Sequence, residues 1–172
     1  NKVPKTVMTA MFRFADELDV AGKTVLLRLD VNVPLADGVV SDDTRIRRIM
    51  PGVTALLEAG AKVVVLTHFG RPKGKLVPSL TVRPVAHCMA GIIGQPVQVE
   101  SDVIGPGGKA AVAALQPGQL LMMENLRFYP EEEANDAGFA RALAALGDVY
   151  VGDAFSCAHR AQVDRTLTRC RQ

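Results

Sequence analysis

Cysteine is scarce in this 172-residue chain, and the three that occur, Cys88, Cys157 and Cys170, are scattered, odd in number and without a C-x-x-C pair. That spacing excludes a disulfide framework and a zinc site, and it makes a reducing cytoplasm the expected compartment. Also missing is any apolar run of about eighteen residues, so no membrane span is expected. The N-terminal stretch NKVPKTVMTAMFRFADELDV lacks the continuous apolar segment of a signal peptide. An excess of one charge is absent too: the net charge of +2 is too small to argue for nucleic acid or a membrane surface. Complete phosphate loops are lacking. GPGGK (105–109) opens a helix, but Ala110 follows Lys109 and also breaks G-x-G-x-x-G, while Pro106 removes a donor N–H. It reads as a plain turn, not a nucleotide site. There is no internal repeat and no low-complexity tract.

What is present is a folded-protein composition, 48% hydrophobic and 22% charged, in a chain long enough for one domain with a real core. Short, continuously apolar stretches at 24–31, 62–67, 96–100, 119–125 and 148–155 read as strands. Between them lie helical patterns at 44–50, 51–58, 81–93, 108–115 and 130–146. The break before 51 is expected because Pro51 cannot sit deep in a helix. Asp42, Asp43 and Thr44 offer capping oxygens, ADG (36–38) marks a tight turn, and Glu131, Glu132 and Glu133 favour a helix start. Strands that are apolar throughout belong in a sheet covered on both faces, and intervening helices imply parallel pairing. The expected fold is α/β, a doubly wound parallel sheet with helices on both faces.

In such sheets ligands bind beyond the carboxyl ends of the strands. RLDVNVP (28–34) starts as a buried strand, then places Asp30 and Asn32 two apart, facing the same way, before Pro34 ends the pairing. Arg45 lies at the far end of the loop that follows. His68 and Arg71 follow the second strand in HFGRP, Arg127 follows the fourth in ENLRF, and His159 and Arg160 follow the last. Cations gathered on one rim repel unless an anion sits among them, and arginine suits bidentate grip on carboxylate or phosphate. The implied ligand is a small polyanion. Asp30 and Asn32 would serve its hydroxyl or anchor an arginine. The plainer readings are that Asp30 and Asn32 satisfy their own turn, that His68 is a core histidine, and that Arg45 is a surface residue like Arg47 and Arg48. His87, beside Cys88 and Met89 in mid-helix, reads as packing and not ligation.

Taken in order, RLDVNVP, DDTRI, LTHFGRPKG, MENLRFYPEEE and DVYVGDAFSCAHRA resemble phosphoglycerate kinase, over Phe12 to Ala161. The resemblance implies the N-terminal, Rossmann-like domain of that family, which moves a phosphoryl group between 1,3-bisphosphoglycerate and ADP, yielding 3-phosphoglycerate and ATP with magnesium. It implies that Asp30 and Asn32 bind the hydroxyl and carboxylate side of 3-phosphoglycerate, and that Arg45 steadies the phosphoryl group in flight. It places His68 and Arg71 on the substrate, and Arg127 and Arg160 on its phosphate. The magnesium nucleotide would be held by a second domain that this chain lacks. No metal or cofactor is expected on the chain itself, and that nucleotide-binding domain is its implied partner. The implied layout is an N-terminal extension over 1–11, a 3-phosphoglycerate-binding domain over 12–161 and an atypical tail over 162–172, where Gln162 stands at a position usually held by histidine in the family. Alone, the chain is expected to lack kinase activity. A stand-alone anion-binding module and an inactive interaction fragment are the competing readings.

Overall fold

The computed structural model describes residues 19–152. Strand β1 (Thr24–Asp30) is followed by a small hairpin, β2 (Leu35–Ala36) and β3 (Val39–Val40), then helix α1 (Thr44–Glu58), β4 (Lys62–His68) and α2 (Arg83–Ile93). Next come β5 (Gln98–Glu100), α3 (Pro106–Ala114), β6 (Leu120–Met123), α4 (Pro130–Glu133), α5 (Ala137–Ala144) and β7 (Val149–Gly152). The main sheet has five parallel strands in the order β5-β6-β4-β1-β7. The doubly wound parallel sheet expected from the sequence is therefore what forms.

Two apolar layers cover it, because consecutive strand residues point to opposite faces. Val25, Leu27 and Leu29 pack with Ile46, Met50, Val53 and Leu56 of α1 and with Val85 and Met89 of α2. Leu26, Val64, Leu66 and Met123 pack on the other face with Val112 of α3 and Phe139 and Leu143 of α5. Strand β1 has β4 on one side and β7 on the other. The chain leaves β1 toward β4 and returns last to β7, so the winding reverses at β1, and the crevice of such a sheet opens at its carboxyl end.

The break expected at Pro51 does not occur, and α1 runs unbroken through it. An interior proline costs about 3 kcal/mol. Burying Ile46, Met50, Val53 and Leu56 stabilises the helix by about 1.5–3 kcal/mol per side chain, so burial wins. Pro51 itself is exposed, which spares the packed face. The helix expected over 130–146 is instead two. Asn135 takes a left-handed φ of 54° and ends the first. Asp136 then caps the second, accepting the Phe139 N–H at 2.7 Å. The ADG turn forms with Asp37 and Gly38 both at positive φ, as a two-residue hairpin requires. The start of α1 is held by Asp42, whose Oδ1 accepts from the Thr44 backbone N–H at 3.0 Å and its hydroxyl at 2.6 Å. His87 is exposed, so the packing expected for it is not found.

Candidate functional site

Strands β1 and β4 end side by side, with Asp30 in register with His68. Asp30 Oδ1 accepts the Asn32 N–H at 3.1 Å, so the elbow satisfies itself as the plainer reading required. The same carboxylate also receives Arg45, whose Nη1 lies 3.2 Å from Oδ1 and 3.3 Å from Oδ2 and donates to the Asn32 carbonyl at 3.1 Å. The anchoring of an arginine expected from the sequence is thus present. With the Arg45 side chain 53% exposed, this pair adds little to stability, about 0–1 kcal/mol. Its effect is to aim the guanidinium across the strand end.

The loop after β4 closes the other side. Gly70 donates its N–H to Asn32 Oδ1 at 3.4 Å, and its carbonyl accepts from Arg127 Nη1 at 2.9 Å. Gly70 has φ +61°, which favours glycine, and a Cβ there would also lie 2.7 Å from Leu80 Cδ2, so that leucine tip would have to move. Asn125, fully buried, ties the loops together. Its Oδ1 accepts from Phe69 N and Arg127 N, both at 3.1 Å. Its Nδ2 donates to the carbonyls of Phe69 at 2.6 Å and Leu80 at 2.9 Å. Beside it, buried Glu124 accepts from Val82 N at 3.0 Å, Asn125 N at 2.9 Å and the Thr81 hydroxyl at 2.7 Å.

The structure therefore brings Asp30, Asn32, Arg45, His68 and Arg127 to one rim through the contacts just given. Arg71 lies on the same loop next to Gly70, exposed, with no hydrogen bond or ion pair among the described residues. His159 and Arg160, like residues 1–11 and 162–172, lie outside the described residues. At GPGGK the chain's own Asp102 Oδ2 accepts the Gly107 N–H at 2.7 Å, which places a carboxylate where a bound phosphate would sit. Among the described residues no group of three or more His, Cys, Asp or Glu side chains could hold a metal ion.

One component escaped the sequence reading. Arg28, in the middle of β1, is only 3% exposed. Its Nη2 donates to Glu132 Oε1 at 2.8 Å and lies 3.4 Å from His68 Nδ1. Glu132 comes from the acid run read as a helix start; it also closes a buried ion pair. The available signal was periodicity, since Arg28 and Asp30 share a face of a strand whose neighbours are all apolar. His68 is itself 5% exposed. Burial pushes its pKa down to about 4, the guanidinium groups of Arg28 and then Arg127 add to the effect, and Asp30 opposes it.

The chain is similar to known proteins over most of its length. The phosphoglycerate kinase family model matches residues 15–167. The chain is 56% identical over 146 residues to the phosphoglycerate kinase of Ruegeria sp. (strain TM1040), covering 85% of this chain and 37% of that protein. It is 52% identical over 145 residues to the phosphoglycerate kinase of Moorella thermoacetica, covering 84% and 37%. Among solved structures, the phosphoglycerate kinase of Coxiella burnetii superposes with a TM-score of 0.78 at 35% identity, covering 86% of this chain and 36% of that one. The chain thus spans little more than a third of the length of these relatives.

Proposed function

The chain belongs to the phosphoglycerate kinase family, and on that premise we propose that the rim at the carboxyl ends of β1 and β4 binds 3-phosphoglycerate or 1,3-bisphosphoglycerate. The reaction served is phosphoryl transfer between the acyl phosphate of 1,3-bisphosphoglycerate and ADP. The observation that carries this reading is the pair of anchored arginines, Arg45 held by Asp30 and the Asn32 carbonyl, and Arg127 held by the Gly70 carbonyl. Fixed cations converging on one rim need an anion among them, and this substrate carries a carboxylate and a phosphate.

In this reading Asp30 and Asn32 serve the hydroxyl and carboxylate end. Asn32 Oδ1 already accepts from Gly70, which leaves the Asn32 amide NH2 to donate to the carboxylate. His68, Arg71, Arg127 and Arg160 hold the substrate, with Arg127 and Arg160 on its phosphate. Arg45 is half-exposed and held across the strand end, suited to the charge that develops on the moving phosphoryl group. The magnesium nucleotide is held by a nucleotide-binding domain, which works with these residues in the reaction, in the cytoplasm. Alone the chain binds but does not turn over, because phosphoryl transfer demands both substrates aligned in one site.

Calorimetric titration with 3-phosphoglycerate at low and moderate salt, with ATP titrated separately, tests this. Saturable binding of 3-phosphoglycerate that weakens as salt rises, with none of ATP, is expected. A demonstrably folded chain that binds neither would replace this reading with that of an inactive fragment. Adding a separately produced nucleotide domain should then restore turnover, whereas binding without turnover would leave an anion-binding module.

A further inference from the structure

We propose that Arg28 is a positioning residue for His68: from beneath the rim it holds the imidazole in one neutral tautomer, with the proton on Nε2. This deepens the reading of the rim as a 3-phosphoglycerate site and rests on it. The argument is one of donors. A guanidinium has N–H groups only and cannot accept. Arg28 Nη2 lies 3.4 Å from His68 Nδ1. The contact is long for a hydrogen bond, but a proton on Nδ1 would set two donors against each other there. Nδ1 must therefore present its lone pair, and the ring's one proton sits on Nε2, on the edge turned away from Arg28.

Arg28 cannot swing out of this role. Glu132 holds the same Nη2 at 2.8 Å, and the two side chains are 4% and 9% exposed. The charged groups around the imidazole are Arg28 and Asp30 on β1, Arg127 after β6 and, one contact further, Glu132 on α4. Burial and the two cations among these groups keep the ring neutral where an ordinary histidine would be gaining a proton. The consequence is an imidazole with one fixed donor edge and one fixed acceptor edge, and not a group that switches between donor, acceptor and cation.

Long-range proton–nitrogen NMR of the imidazole in the unliganded chain, from about pH 8 to pH 5.5, tests the tautomer directly. A single Nε2-protonated form across that range is expected. Arg28→Met combined with Glu132→Gln removes both buried charges together. It should average the two ring nitrogens, raise the midpoint of His68 protonation by about 1 in pH, and weaken 3-phosphoglycerate about tenfold, or about 1.4 kcal/mol. Arg28→Lys keeps the charge and should preserve the Nε2-protonated form. A wild-type ring protonated on Nδ1 or exchanging between tautomers overturns the proposal even if the variants fail to fold. So does a double variant with the wild-type tautomer. Expected tautomers in a chain that binds no 3-phosphoglycerate would instead sink the reading of the rim, and any binding role for Arg28 with it.

Discussion

Replacing Asn125 by alanine should be among the most damaging single changes in this domain. The side chain is fully buried and makes four hydrogen bonds, accepting from Phe69 N and Arg127 N at 3.1 Å and donating to Phe69 O at 2.6 Å and Leu80 O at 2.9 Å. A typical bond adds about 1 kcal/mol net, and each polar group left unsatisfied in the interior costs about 1–3 kcal/mol. Even if water reaches some of these partners, the loss should be about 4 kcal/mol, a large share of the 5–15 kcal/mol typical of a domain. With a urea m-value of about 2 kcal/mol/M, the unfolding midpoint should fall by about 2 M. Asn125→Asp is the informative control. It keeps the acceptor for the two N–H groups but turns an oxygen toward two carbonyls, so at neutral pH it should be at least as destabilising as alanine. Hydrogen exchange at Phe69 and Arg127 should accelerate in Asn125→Ala, which removes their acceptor. A loss below about 1 kcal/mol for Asn125→Ala, with unchanged exchange at those amides, would refute the view that Asn125 clamps the rim loops.

Other outcomes follow from the same structure. Arg45→Ala, placed in a full-length enzyme, should lower kcat by about 10²–10³ while changing 3-phosphoglycerate affinity far less, if the arginine acts on the moving phosphoryl group; equal losses in steady-state kinetics would make it a ground-state contact. His68 has a folded pKa of about 4, below the ordinary value of 6.5, so between those values the unfolded chain binds more protons. Its stabilising effect is full above about pH 6.5 and declines as pH falls toward 4, by about 2 kcal/mol after allowing for solvent screening. Urea unfolding at several pH values should show that decline in the wild type, and His68→Asn should flatten it. Gly74→Ala should cost more than Gly38→Ala, although both residues have φ above +70°. At Gly74 a Cβ would lie 2.9 Å from the Pro130 Cα, which is backbone and cannot yield, whereas Gly38 faces open space. Thermal melts that rank the two equally would show that backbone strain alone governs both.

Local pattern carried much of this protein. Continuous apolar runs bounded by polar elbows located all five strands of the main sheet, since a strand covered on both faces leaves little room for polar residues. The same runs located their carboxyl ends, where Asp30, His68 and Arg127 fall. Boundaries were less secure where one residue had two readings. Pro51 breaks a helix only when packing does not hold it, and here α1 is held by its buried face. Asn135 and Asp136 divide the helical stretch after Pro130, a stop and a cap that the acid run had masked.

By itself the sequence determined the alternation of strands and helices, hence the parallel sheet, and the chemistry at each strand end, because those depend on neighbours a few residues apart. Only the tertiary structure decided who meets whom. It set Asp30 beside His68 across β1 and β4, Asn125 against residues 45 and 56 positions away, and Glu132 against Arg28 at a separation of 104. Each of those contacts depends on burial, which makes an unpaired polar group expensive and a matched one stable. Burial is a property of the packed layers and cannot be read from a residue's own stretch of chain.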